Sequence, residues 1–189
     1  CNAHCFYCYE EGYCRQTINP ASHKRIVDYL LTQIVDTKEF VLDWYGGEPL
    51  LCVQEIDHII QDLEKGINLS QKEWVSSITT NATLFTPELV NHAVTCWHLD
   101  SAHITIDGIE KEHNLRKNVS LHGESAFAKT MAAIHLLLEA GVYVNLRIHL
   151  DNNNRDSFPE IMQAISEFFQ YDRFHLFPTF LFPPEFEMA

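Results

Sequence analysis

The chain is poor in basic residues: 13 Lys and Arg stand against 26 Asp and Glu, a net charge of −13 at neutral pH. Surfaces that bind nucleic acid or anionic membranes favour basic patches, so this balance argues against both partners. The ordinary role of such acidity is solubility; attraction of a basic peptide is the alternative. Long apolar runs are also missing. Roughly 20 apolar residues are needed to cross a bilayer, and the best candidate, "MAAIHLLLEAGVYVNL", is interrupted by His135, Glu139 and Gly141. No signal peptide, linker, low-complexity tract or repeat is evident. At 189 residues and 46% hydrophobic, the chain is expected to be soluble and to form one domain over residues 1–189.

Disulfide stapling is not expected either. A chain this large and apolar does not need it, and three of the six cysteines crowd into residues 1–8. A reducing cytoplasm is the expected compartment. Cys14, Cys52 and Cys96 are scattered and are expected to be packed thiols.

What is present is a strict alternation of short β-rich runs with helical patterns, which predicts βα units around a parallel sheet. "NPASHKRIVDYLLTQIVD" spaces Ile26, Val27, Leu30, Leu31 and Ile34 as a helix, with Asn19 or Ser22 as N-cap. "EFVLDWYGGEP" is a strand running into a turn. "VQEIDHIIQDLEKG" is a helix, "EWVSSITTN" a strand, and "TPELVNHAVTCW" a helix capped by Thr86. "SAHITIDG" is a strand, followed by a polar loop through Gly123. Then come the helix "AFAKTMAAIHLLLEAG", the strand "VYVNLRIHL", the helix "FPEIMQAISEFFQ" and the strand "RFHLFPTF". This is an α/β chain of five strands and five helices. A partial (β/α)6 TIM-like barrel is the expected architecture, with a doubly wound open sheet as the alternative. The chain begins on Cys1, and a metal-binding loop needs scaffold on both sides, so the first strand is expected to be missing.

In such folds, sites gather where strands end and helices begin. The unusual residues fall there: "CNAHCFYC", then "GGEP", "TTN" and "TIDG". The thiols of Cys1, Cys5 and Cys8 are soft ligands suited to iron–sulfur clusters or zinc. A closed [4Fe–4S] cluster takes four cysteines, so three leave one iron open. Zinc with His4 or Cys14 as fourth ligand is the competing reading, although no second ligand pair is evident. Gly46, Gly47 and Glu48 could present backbone and one carboxylate to an ammonium. Asn81, Thr105 and Asp107 could be site residues or ordinary turn and strand formers.

These motifs together resemble the radical S-adenosylmethionine superfamily. "CNAHCFYC" is similar to its C-x3-C-x-aromatic-C loop, and "WYGGEPLL" to its Gly-Gly-Glu-Pro motif. "TTNATLFTPELV" and "ITIDGIEKEHNLRKNVSLHGESAFAKTMAAIHLLLEAG" resemble the branch of anaerobic sulfatase maturases and ribosomal-peptide maturases. The resemblance implies that Cys1, Cys5 and Cys8 hold a [4Fe–4S] cluster whose fourth iron binds S-adenosylmethionine. One electron then cleaves the sulfonium to a 5′-deoxyadenosyl radical, which abstracts hydrogen from a peptide or protein side chain. It further implies Tyr7 near the adenine, Gly46, Gly47 and Glu48 at the amino end, and Thr105 at the ribose. Asn81 and Asp107 would line the same mouth, and Arg147 would pair with the methionyl carboxylate or simply fill the barrel. His113 and Arg116 sit where relatives carry a "HDxxR"-like stretch, from which Asn114 departs. An electron donor such as flavodoxin or ferredoxin is implied as partner. Members of the branch continue into a C-terminal cysteine-rich SPASM or twitch extension. Because the chain ends at "FPPEFEMA" without such cysteines, truncation at both ends is expected. The alternative function is a non-catalytic domain that holds zinc or a closed cluster as scaffold or electron relay.

Overall fold

The computed structural model describes residues 1–10, 16–121 and 123–181. Cys14 lies outside the described residues. Five parallel strands pair in chain order: β1 (Glu39–Trp44), β2 (Glu73–Thr80), β3 (Leu99–Ile106), β4 (Tyr143–Leu150) and β5 (Phe174–Phe180). A doubly wound sheet would reverse its strand order at a switch point; here each strand lies beside its sequence neighbour, as in a barrel wall. Among the described residues β1 and β5 do not pair, so the sheet is not closed.

The helices are α1 (Pro20–Ile34), α2 (Val53–Gly66), α3 (Pro87–Cys96), α4 (Glu110–Lys117), α5 (Ala126–Glu139) and α6 (Phe158–Ala164). Their ends carry the expected caps. Asn19 Oδ1 accepts the Ser22 N–H at 2.9 Å, and Thr86 Oγ1 the Leu89 N–H at 3.2 Å. Gly141 stops α5 with a φ of +80° that other residues adopt only under strain. Successive strand residues face opposite sides of the sheet, and here the two sides differ in kind. Leu42, Ile78, Ala102, Ile104, Ile106, Val144, Leu146 and Ile148 join one core with Ile56, Ile60, Leu63, Ala93, Ile134 and Leu137 of the helices. Each fully buried aliphatic side chain in that core contributes about 1.5–3 kcal/mol. The opposite face carries Asp43, Ser77, Thr79, His103, Thr105, Asn145 and Arg147 around a groove.

Three expectations are corrected. The polar stretch before Gly123 contains α4, whose apolar pattern is too thin to read. It is held instead by end effects: Glu112 Oε2 accepts the Ile109 N–H at 3.2 Å, Glu110 and Glu112 sit in the first turn, and Arg116 and Lys117 in the last. Asn118 closes it in the left-handed conformation, at φ +45°. Second, "FPEIMQAISEFFQ" is not one helix, because α6 gives way to a 3-10 segment at Ser166–Gln170. Third, Cys96 is not packed; it ends α3 on the exposed side.

Candidate active site

The cysteine loop runs across the carboxyl ends of the strands. It turns on itself through a Cys8 N–H to Cys5 carbonyl bond of 3.0 Å. Cys1, Cys5 and Cys8 are half-buried and line one cavity of about 960 Å³ together with Gly46, Gly47 and Glu48, the turn that ends β1. Gly47 makes that approach possible. A Cβ on it would lie 3.0 Å from the Cys1 nitrogen and 3.1 Å from the Cys1 Cβ.

Glu48 is buried and spends its carboxylate on the protein. Oε1 accepts the Thr80 hydroxyl at 2.6 Å and the Leu50 N–H at 3.2 Å; Oε2 accepts the Asn81 N–H at 2.8 Å. Burial pushes its carboxyl above the ordinary value, and these hydrogen bonds oppose the rise. Glu48 thereby ties the end of β1 to the end of β2. Asn81 extends the tie to the cysteine loop: its Nδ2 donates to Asn2 Oδ1 at 2.7 Å, and its Oδ1 accepts the Thr83 N–H and hydroxyl.

Tyr7 points inward. Its hydroxyl donates to the Asp107 carboxylate, 2.8 and 2.9 Å from the two oxygens, and accepts from Lys117 Nζ at 2.9 Å. Its ring meets His149 edge-on with centroids 4.8 Å apart. Asp107 is 0% exposed and lies behind Tyr7 rather than on the cavity wall. It also takes His149 Nδ1 at 3.1 Å and lies 3.4 Å from Lys117 Nζ. Burial alone would raise Asp107, but the Lys117 ammonium and the His149 hydrogen bond outweigh it and hold the carboxyl below its ordinary value. Burial, followed by the Asp107 charge, pushes the Tyr7 phenol up and keeps it a donor.

His113 is buried in the same network. Burial and then Lys117 lower it to about 4, so it is neutral and its Nδ1 accepts the Asp107 N–H at 3.3 Å. Arg116 pairs with Asp151 at 2.9 Å and lies over the Phe6 ring. The sequence readings named Asp107 but missed Lys117, His149 and Asn154, which complete this network.

Thr105 and Arg147 face each other in register on β3 and β4. They line the groove of about 410 Å³ on the polar face. Tyr45 borders both this groove and the cysteine cavity, so the two adjoin. Cys52 borders the cysteine cavity too, its thiol pushed up by burial and then by Glu55. Among the described residues no three His, Cys, Asp or Glu side chains converge as a single metal ion requires. Three thiols carried by one loop, facing a wide cavity and seated against a glycine, fit the larger [4Fe–4S] cube.

A parallel barrel wall with a three-thiol loop over its carboxyl ends is an α/β core with a candidate cluster site. The chain belongs to the Radical SAM superfamily, whose family model matches residues 1–165. The cofactors of that family are a [4Fe–4S] cluster and S-adenosylmethionine. An uncharacterized protein of Methanocaldococcus jannaschii is 26% identical over 169 residues, 89% of this chain and 56% of its own length. The structure of anSMEcpe, an anaerobic sulfatase maturase with bound AdoMet and Kp18Cys peptide, superposes with a TM-score of 0.75 at 18% identity. That match covers 94% of this chain and 48% of the other. Streptococcus suis SuiB bound to precursor peptide SuiA gives a TM-score of 0.62 at 16% identity, covering 94% and 37%. These structural likenesses establish the fold. The chain thus spans about half the length of the first two of these proteins and less of the third. Among the described residues no helix is long and apolar enough to cross a membrane.

Proposed function

We propose that this chain is the core of a radical S-adenosylmethionine enzyme that modifies a side chain of a peptide or protein. The observation that carries the reading is the junction of two spaces. The cysteine cavity and the polar groove meet at Tyr45, so a cofactor held by the loop would reach from that cavity into the groove, where the substrate would meet it. Cys1, Cys5 and Cys8 would hold the cluster, and the backbone of Gly46 and Gly47 would receive the methionyl amine. Glu48 and Asn81 brace that turn through their hydrogen bonds. Thr105 and Arg147 would take the ribose and the methionyl carboxylate. When bound, the two cofactors supply a hydrogen-abstracting carbon radical. The chain's own task is to orient them and keep water out. A peptide as substrate is supported by anSMEcpe and SuiB, each with a structure that has a bound peptide. A flavodoxin or ferredoxin would deliver the electron.

The test is anaerobic reconstitution, reduction and EPR with and without S-adenosylmethionine, followed by assay of 5′-deoxyadenosine. We expect a [4Fe–4S]⁺ signal that changes on adding the cofactor and is lost in Cys5→Ala. A cluster signal indifferent to the cofactor would support the scaffold or relay reading, and zinc without a cluster would exclude radical chemistry. Deuterium carried into 5′-deoxyadenosine from a pool of perdeuterated peptides tests the substrate class; none carried over would remove it.

A further inference from the structure

Besides its tie to Asn81, the cysteine loop is fastened through its backbone to the end of α4 and the residues that follow it. The His4 N–H donates to the Lys117 carbonyl at 2.9 Å, and the Ser120 N–H to the Asn2 carbonyl at 3.2 Å. Lys117 then doubles back with its side chain. Its ammonium reaches the Tyr7 hydroxyl at 2.9 Å and the Asp107 carboxylate at 3.4 Å, and lies 5.6 Å from the Tyr7 ring centroid. Lys117 is 5% exposed. A lysine and an aspartate are thus both withdrawn from water directly behind Tyr7, the residue before Cys8.

Anchoring alone does not require charge. Well-packed apolar side chains of similar size hold two elements together as well as a buried ion pair does, and often better. What apolar residues cannot supply is a field. Charges in a dry interior act on their neighbours more strongly than charges in water, and Lys117 sits at the loop itself: its carbonyl holds the N–H of His4, the neighbour of Cys5, and its ammonium holds the hydroxyl of Tyr7, the neighbour of Cys8. The potential of an iron–sulfur cluster responds to nearby charge and hydrogen bonding.

We propose that Lys117 and Asp107 are positioning residues of the cysteine loop, acting through Tyr7, and that their opposed buried charges set the reduction potential of the cluster the loop carries. The inference rests on Cys1, Cys5 and Cys8 holding that cluster. Its signature is antisymmetric. Removing the lysine leaves the Asp107 carboxylate hydrogen-bonded by Tyr7 and His149 but without the Lys117 charge, and disfavours the added electron; removing the aspartate charge leaves the ammonium uncompensated and favours it.

The experiment is an EPR-monitored potentiometric titration, with dithionite as reductant, of the reconstituted wild type, Lys117→Met, Asp107→Asn and the double variant. At a fixed solution potential we expect Lys117→Met to lower the ratio of reduced to oxidised cluster about tenfold, a displacement of about 59 mV for a one-electron couple. Asp107→Asn is expected to raise the ratio by a similar factor, and the double variant to return towards wild type. A second readout needs no cluster. In the apo-protein of the double variant, which leaves the net charge behind Tyr7 unchanged, iodoacetamide should label Cys1, Cys5 and Cys8 severalfold faster than in wild type, with exposed Cys96 as the unchanged control. If Lys117→Met does not fold, Lys117→Arg takes its place and should keep the wild-type potential while Asp107→Asn raises it. Potentials that stay within twofold of wild type in that ratio, or that move in the same direction in both single variants, would overturn the proposal. A wild-type protein that loads no cluster would instead overturn the reading beneath it.

Discussion

Gly47 sits directly against Cys1. A methyl group added at Gly47 would meet the Cys1 nitrogen at 3.0 Å, its Cβ at 3.1 Å and Glu10 Oε2 at 3.3 Å. The Glu10 carboxylate can swing away, but the Cys1 backbone can yield only by moving the loop. Gly47→Ala is therefore expected to cost about 1–3 kcal/mol as overpacking does elsewhere. For a chain of this size that lowers Tm by about 2–4 °C per kcal/mol. Iron content after reconstitution should fall with it. A variant that kept both wild-type Tm and full iron would show that the turn and the loop do not need this close approach.

His113 gives the fold a specific weakness to acid. Its folded value of about 4 lies below the ordinary 6.5, chiefly through burial. Between these values the unfolded chain takes up a proton that the folded chain refuses. The stability it contributes is therefore complete above pH 6.5 and declines as pH falls towards 4. The shift corresponds to about 3 kcal/mol across that window. His113→Gln should flatten this part of the profile while lowering stability near pH 7, because its packing against Phe127 and the hydrogen bond from the Asp107 N–H are disturbed. Denaturant midpoints measured from pH 4 to 8 decide it. Parallel profiles for wild type and variant would refute the assignment.

Why the alternation of elements was readable and the buried network was not follows from range. Period-2 and helical patterns are local, so strands such as Tyr143–Leu150 and helices such as Val53–Gly66 follow from neighbours a few residues apart. Strand order is not local, and only the structure distinguishes a barrel wall from a doubly wound sheet. The cysteines and the Gly-Gly-Glu-Pro turn are legible because their chemistry is written in adjacent residues. Lys117 and Tyr7 are 110 positions apart and His149 and Asp107 are 42, with nothing in either local stretch to announce the pairing. Asp107 shows the limit of parity arguments. Alternation would put it on the groove side with Thr105, but β3 ends at Ile106, and the chain then turns Asp107 into the interior.

Asn154 is fully buried where β3 and β4 end. Its Nδ2 donates to the Asp107 and His149 carbonyls at 2.9 and 2.8 Å, and its Oδ1 accepts the Asp151 N–H at 2.7 Å. Asn154→Ala removes three hydrogen bonds and leaves buried partners unmet, a loss of about 2–4 kcal/mol. Asn154→Asp should be worse, since it turns a carboxylate oxygen towards two carbonyls. Chemical denaturation checks the order. Asp tolerated better than Ala would mean that water, rather than the amide, satisfies those carbonyls.

Arg147 is the opposite case. It is exposed in the groove and makes no ion pair or side-chain hydrogen bond among the described residues. An arginine that merely filled the barrel would be packed, and removing it would cost stability. Removing a cation held for a ligand instead leaves stability within about 0.5 kcal/mol, as for surface positions generally. Arg147→Ala is expected to follow the second course and to weaken S-adenosylmethionine binding about tenfold or more, the equivalent of about 1.4 kcal/mol for one lost charge-assisted contact. Anaerobic calorimetry on the cluster-loaded protein, paired with a thermal melt, separates the two. Unchanged affinity with a lowered Tm would make Arg147 a structural residue and leave the methionyl carboxylate to another donor.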